Sequence, residues 1–345
     1  MVRDIVVTTC PYEGFEEEIR HLRNRNRQED KSRAYFDWRY LGQKTPPAII
    51  FKIMDAGQKS IGMLGIIFRT YLLDGEQQHC AVIGDFSIDA EHRDKGLATE
   101  LVRQVNAFLL KEEIPCAFVI PTPAAQKVFT GCGWRTTALL IPYVLVIDAE
   151  KKIFTLTNNR LLSKIFGRLS SLTITALVNL FYSKEIIIIQ SESFDASFDK
   201  LFAKINKRNI VTQEKSCSTM EWRYSSYPDT GKFDIHTLYR KHEVIGYIIS
   251  ATSPADQTCT VYDLLFINKV MARTAMAAFV KTALQQKKWQ SIRVVLSDSH
   301  PYRAGLRLLG FMPRTRDALA FQTFSTCPCP LNRYQWMLTS GDKDV

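Results

Sequence analysis

The sequence predicts an α/β (α+β) protein built as two tandem domains, and three observations lead there. With 345 residues, the chain is long for one compact domain and comfortable for two. Residues 83–101, IGDFSIDAEHRDKGLATEL, pass from an apolar stretch through a polar turn into an amphipathic helical pattern. A set of short matches then recurs in order, at an offset near 184 residues.

The strand comes first. Val82, Gly84, Phe86 and Ile88 alternate along it, and the turn that follows contains Arg93-Asp94-Lys95-Gly96-Leu97-Ala98-Thr99. Leu97, Leu101, Val105 and Phe108 fall on one helical face and are expected in the core. A strand, a glycine-bearing loop and a helix N-terminus in succession suit a phosphate. The first N–H groups of the helix lack intrahelical partners and sit at the positive end of its dipole. Gly96 lets a ligand approach the backbone without a Cβ in the way, and Arg93 and Lys95 add charge. Downstream, Pro121-Thr122-Pro123-Ala124-Ala125 opens a short helix that passes Val128-Phe129 and ends at Gly133-Trp134, ahead of another strand.

These segments resemble the GNAT acyltransferase superfamily. The R-x-x-G-x-A spacing at 93–98 is similar to the acetyl-CoA pyrophosphate loop, residues 84–89 resemble the fourth strand, and 121–134 resemble the second signature. The resemblance implies a mixed central sheet flanked by helices in each domain, with acetyl-CoA as cosubstrate and no metal. It implies transfer of an acetyl or other acyl group to an amine on a small molecule, such as an amino sugar or related metabolite. The thioester would rest on backbone N–H groups near Ser87 and Ile88. The diphosphate would lie on Arg93, Asp94, Lys95, Gly96, Leu97, Ala98 and Thr99, with the Thr122 hydroxyl bonding the cofactor. The same fold without turnover, as an acyl-CoA-binding or scaffold protein, is the alternative.

Two proton transfers need residues. Asp85, facing away from Phe86 along the strand, is a candidate base or ammonium-holding group, and equally a carboxylate that fixes the strand. The tyrosine that many family members place four residues before the glycine of the second signature is Phe129 here, which has no proton to give. Tyr143, on the following strand, is the nearest substitute, unless the thiolate leaves unaided.

The internal repeat pairs Tyr35-Phe36-Asp37-Trp38-Arg39-Tyr40 with Thr219-Met220-Glu221-Trp222-Arg223-Tyr224. Ile61-Gly62 matches Ile245-Gly246, Asp85 matches Asp263, and Gly133-Trp134 matches Gly310-Phe311. The expected boundaries are 1–150 for the acetyl-CoA-binding domain, 151–184 for a linker, and 185–345 for a degenerate second copy with a C-terminal tail. Trp38 and Trp222 are expected as aromatic anchors at the sheet ends, with Arg39 and Arg223 bonded to backbone carbonyls. In the second copy the loop reads Ile267-Asn268-Lys269-Val270-Met271-Ala272, without glycine, so CoA should bind poorly there. In the linker, Leu161, Ile165, Leu169, Leu172, Ala176 and Leu180 form a helical stripe. A connecting helix packed between the domains is expected. Lys164, Arg168 and Asn179 argue against a membrane span, while the flanking basic residues admit a peripheral membrane helix.

Composition bounds the rest. The net charge of +10, from 45 basic and 35 acidic residues, favours anionic partners, and CoA is itself one. Basic and aromatic residues do not interleave as a single-strand platform requires, so no nucleic-acid partner is expected. The eight cysteines and six histidines lack zinc spacing; Cys327-Pro328-Cys329, the closest pair, is read as incidental. No signal-like segment opens the chain, and reduced thiols in the cytoplasm are the expectation.

Overall fold

The computed structural model describes residues 6–27, 30–42, 46–205, 207–228, 233–326 and 331–343; Cys327-Pro328-Cys329 lies outside them. The first half runs β1 (Val6–Pro11), α1 (Glu16–Arg27), α2 (Arg33–Leu41), β2 (Ile49–Met54), β3 (Ser60–Leu73), β4 (Glu76–Ile88), α3 (Leu97–Lys111), β5 (Cys116–Val119), α4 (Pro123–Gly131) and β6 (Arg135–Val146). Two helices follow, α5 (Ala149–Thr157) and α6 (Arg160–Phe181). The second half contains β7 (Ile186–Ser191), α7 (Ala196–Lys204), β8 (Ile210–Gln213), α8 (Cys217–Met220), β9 (Asp234–Arg240), β10 (Glu243–Ser253), β11 (Thr258–Phe266) and α9 (Lys269–Gln286). It ends with β12 (Ser291–Ser297), α10 (Arg303–Leu308), β13 (Met312–Pro313), β14 (Leu319–Ser325) and β15 (Gln335–Trp336).

Local sequence accounts for these elements. The run Ser60–Leu73 is β-branched and aromatic, and it is buried over most of its length, as a central strand should be. Helix α1 carries Glu16, Glu17 and Glu18 in its first turn and Arg25 and Arg27 in its last, complementing the helix dipole at both ends. On α3, Leu97, Leu101 and Val105 are buried as expected, together with Val102 and Leu109. Phe108 is half-buried against Phe51.

All the strands join one mixed sheet, the helices flanking it. Its main path is β1-β2-β3-β4-β5-β14-β6-β12-β11-β10-β9-β7. The first half's pattern β2-β3-β4-α3-β5-α4-β6 returns as β9-β10-β11-α9-β12-α10-β14. In both halves the third and fourth strands of that pattern pair in parallel, β4 with β5 and β11 with β12. The glycines of the matched Gly-Trp and Gly-Phe pairs, Gly133 and Gly310, even share a positive φ, 91° and 90°.

The expected boundary at 150/185 does not part the sheet, because the halves exchange their last strands. β14 inserts beside β5, antiparallel, and β6 pairs antiparallel with β12, while β6 and β14 pair with each other. Nor do Trp38 and Trp222 sit at sheet ends. They stack on each other with centroids 5.2 Å apart and planes 15° apart. Each indole N–H donates to the other's backbone carbonyl, Trp38 Nε1 to Trp222 O at 2.7 Å and Trp222 Nε1 to Trp38 O at 2.9 Å. Arg39 and Arg223 meet side chains: Arg39 pairs with Asp85, and Arg223 donates to Gln213 Oε1 at 2.7 Å.

The linker helix also differs from expectation. Its stripe, Leu161 to Leu180, faces outward, and α6 packs through Ser163, Gly167, Ile174 and Val178 instead. Gly167 is required by close approach: an added Cβ would lie 2.6 Å from the Cβ of Glu150 on α5.

The tryptophan pair yields a test. Trp38→Phe removes one donor and leaves the buried carbonyl of Trp222 unsatisfied, a cost of about 1–3 kcal/mol. Trp222→Phe does the same to Trp38. The two substitutions share one stack, so urea unfolding of the double variant should show a loss smaller than the sum, with a coupling of about 1 kcal/mol.

Candidate functional site

The site begins where two strands part. β4 and β5 pair in register only at Ala81–Ala117 and Val82–Phe118. Beyond that β5 ends at Val119, while β4 continues to Ile88 with a bulge. Against β3, Met63 faces Ser87 and Gly65 faces Gly84, so Asp85 and Phe86 together stand opposite Leu64. The extra residue bends and twists the strand, and Asp85 takes up a φ of 50°. A cavity opens on each side of the divergence, with Phe86 lining one and Asp85 the other.

The first cavity, about 690 Å³, is bounded by Phe86, Ser87 and Ile88 of β4, by the loop and first turn of α3, and by the start of α4. Gly96 is the N-cap of α3 with φ 80° and ψ −3°, a left-handed conformation natural to glycine. A Cβ built on it would meet nothing within 4 Å. Having no side chain, it caps none of the first N–H groups of α3, and Gly96, Ala98 and Thr99 line the cavity. Ser87 is buried, and its Oγ has no hydrogen-bond partner. An orphaned hydroxyl of this kind is costly unless something in the cavity completes it.

The predicted cofactor residues divide accordingly. Ser87, Ile88, Arg93, Asp94, Gly96, Ala98, Thr99 and Thr122 all line this cavity. Lys95 is exposed outside it, and the Leu97 side chain is buried in the core beneath α3. Arg93 turns its guanidinium inward: Nε donates to Ile88 O at 3.0 Å, tying the loop to the end of β4. Thr122 caps α4, accepting from Ala125 N at 3.4 Å. Asp89 anchors the other side, accepting from Arg25 Nη2 at 2.6 Å and Asn26 Nδ2 at 2.6 Å, which holds α1 against the loop.

The second cavity, about 270 Å³, lies between the halves. Arg23, Arg27, Lys31 and Arg39 come from the first half, while Phe321 of the exchanged β14 and Asp342 and Lys343 of the C-terminal segment close it. Arg27 lines both cavities. Asp85 is buried here within a cationic cage. Arg39 Nε lies 2.8 Å from Oδ2, Arg23 Nε donates to Oδ1 at 3.3 Å, and the Tyr40 hydroxyl donates to Oδ2 at 2.6 Å. Burial pushes the carboxyl upward, but Arg39, Arg27, Tyr40 and Arg23 outweigh it and hold it at about 2. A carboxylate held so low is a weak proton acceptor. Its counterpart Asp263 is likewise bonded by Tyr224 at 3.0 Å and by Lys215 at 2.7 Å, in a half without a comparable loop.

Tyr143 stands apart from both cavities. It is buried in the core of the second half, paired in register with Val294 and Pro313, and burial raises its phenol. Its expected place near the thioester is therefore corrected. Phe129 is fully buried edge-on to Phe86 and Trp134. In the second half, Asn268 caps α9 by accepting from Met271 N at 2.9 Å, so one of that helix's first N–H groups is already satisfied.

Sequence reasoning missed Arg23 and Arg27. Their four-residue spacing within a helix, which puts both on one face, was the available signal. Among the described residues, no group of three or more histidines, cysteines or acids is arranged for a metal.

Residues 12–134 match the sequence profile of the acetyltransferase (GNAT) family. No curated protein matches the chain in sequence. Among solved structures, the chain is similar to a GCN5-related N-acetyltransferase from Anabaena variabilis, with 12% identity and a TM-score of 0.68 over 94% of this chain and 74% of that one. It is similar to a probable N-acyltransferase from Enterococcus faecalis, with 10% identity and a TM-score of 0.66 over 93% and 72%. It is also similar to the N-myristoyltransferase of Saccharomyces cerevisiae with bound myristoyl-CoA, with 12% identity and a TM-score of 0.59 over 98% and 85%. At these identities the likeness concerns the fold. The match to the acetyltransferase (GNAT) family is confined to residues 12–134, within the first half of the chain.

Proposed function

We propose that the chain is a CoA-dependent N-acyltransferase whose first half holds acyl-CoA in the larger cavity and whose acceptor amine enters through the smaller one. The observation that carries this reading is the uncapped start of α3, opened by Gly96 onto a cavity with the unpartnered Ser87 hydroxyl. The diphosphate would rest on the N–H groups of 96–99, and the thioester carbonyl on the bulged end of β4, where fixed dipoles meet the developing oxyanion. The amine nitrogen attacks the thioester carbon, the C–S bond breaks, the amine proton passes to water, and CoA leaves as thiolate. A thiol with a pKa near 8.5 leaves acceptably without an acid, which fits the absence of a hydroxyl at Phe129. Acetyl is the acyl group we assign, and a cytoplasmic setting belongs to the same reading.

We assign Asp85 to positioning rather than to the base. Arg23, Arg27, Lys31, Arg39 and Lys343 outnumber Asp85 and Asp342 around the smaller cavity, so an acceptor carrying a carboxylate or phosphate fits it. The second half supplies a wall and, with its capped α9, no cofactor site. The fold without turnover is the second reading, favoured by Phe129 and by the neutralised Asp85; release of CoA thiol on adding amines to acetyl-CoA and protein would exclude it.

Calorimetric titration of acetyl-CoA should give one site per chain. Gly96→Trp, which fills the approach to the loop, should abolish that heat, whereas two sites would assign a cofactor to the second half as well. Asp85→Asn should lower the stability by about 3–5 kcal/mol, because the arginines lose their counter-charge. Turnover per folded molecule separates the two roles: a base would lose it by about 100-fold or more, whereas a positioning Asp85 would keep most of it. The pH dependence follows from a carboxyl depressed from 3.8 to about 2 on folding. The stabilisation, about 2 kcal/mol, is complete above pH 3.8 and is lost as pH falls through about 2. Asp85→Asn should lack this acid limb.

A further inference from the structure

Helix α6 wears its burial inside out. Leu161, Ile165, Phe166, Leu169, Leu172 and Leu180 are all exposed, from 47% at Ile165 to 71% at Leu180. At 100° per residue they fall within an arc of about 140°, so they form one continuous face along the helix. The buried side is made of Ser163, Gly167, Ile174 and Val178, mostly smaller side chains. Adjacent α5 exposes Phe154 as well. An apolar face of this extent calls for a covering surface.

Charge identifies that surface. Between residues 151 and 184 the chain has Lys151, Lys152, Arg160, Lys164, Arg168 and Lys184, and no aspartate or glutamate. On the helical projection, Lys164 and Arg168 border the apolar arc. A second copy of the same face would bring these cations against one another, whereas an anionic bilayer offers hydrocarbon to the leucines and headgroup charge to the lysines and arginines.

We propose that α6, supported by α5, lies flat in the headgroup region of an anionic lipid bilayer and holds the enzyme at a membrane surface. The helix has the length and hydropathy to cross a membrane, but its other side is committed. Ile174 and Val178 belong to the core of the second half, and Asn179 Oδ1 accepts from Lys281 Nζ of α9 at 3.3 Å. A helix fastened along one side offers lipid a single stripe, which is the interfacial geometry.

The test is sedimentation of the full chain with vesicles at about 0.1 M salt, where the Debye length of about 10 Å leaves surface attraction intact. Vesicles of phosphatidylcholine containing about a third phosphatidylserine should pellet the protein, and pure phosphatidylcholine should bind at least about tenfold more weakly. Combined Leu161→Gln, Leu169→Gln and Leu172→Gln should release it, with unchanged circular dichroism and thermal unfolding, since all three are exposed. Lys164→Gln with Arg168→Gln should weaken anionic-vesicle binding about thirtyfold, at about 1 kcal/mol for each charge. Equal pelleting of wild type and the leucine variant, or no pelleting with any vesicle, would overturn the proposal. So would lipid-free self-association, seen by analytical ultracentrifugation, that the leucine variant abolishes; the face would then join two copies.

Discussion

The exchange of last strands is the constraint on which the rest of the molecule depends. β5 is only four residues long, and beyond Val82–Phe118 it has no ladder with β4. Its other edge is satisfied by β14, delivered from just over 200 residues downstream. The first half therefore completes its sheet only with a strand from the second, and β6 returns the favour at β12. The stacked Trp38 and Trp222, each bonded to the other's carbonyl, tie the halves a second time.

This arrangement also shapes the site. The divergence of β4 and β5 would open a cleft in the first half alone, but Phe321, Asp342 and Lys343 wall one side of it into a basic cavity. The second half thus contributes walls and charge to the smaller cavity. Its own helix α9, capped by Asn268, resembles α3 in place and differs in chemistry: a side chain caps one N-terminus, and a glycine leaves the other without a side-chain cap.

Electrostatic partnership explains why an acidic residue matched in both halves is a poor guide to catalysis here. Asp85 and Asp263 each accept from the tyrosine of a W-R-Y segment and each meet buried cations. Satisfying those cations in a low-dielectric interior is reason enough for a carboxylate at both positions. With Arg23, Arg27 and Arg39 acting on Asp85, Lys31 and Lys343 add further positive charge to the smaller cavity.

The strand, loop and helix of residues 83–101 were legible because each depends on local rules: alternation, a glycine for positive φ, and a 3.6-residue stripe. The repeat of W-R-Y and Gly-Trp/Gly-Phe was legible for the same reason, as residues compared in order along the chain. Pattern alone could not say which surface the stripe of α6 faces, since leucines at helical spacing are the same in a core and on a surface; the small buried side of Gly167 and Ser163 decided it. Nor could it show that Tyr143 follows β6 into the other half's core, or that Asp85 is caged. Those outcomes rest on contacts between residues tens to hundreds of positions apart, and such contacts are set by strand exchange and packing, which short-range periodicity does not encode.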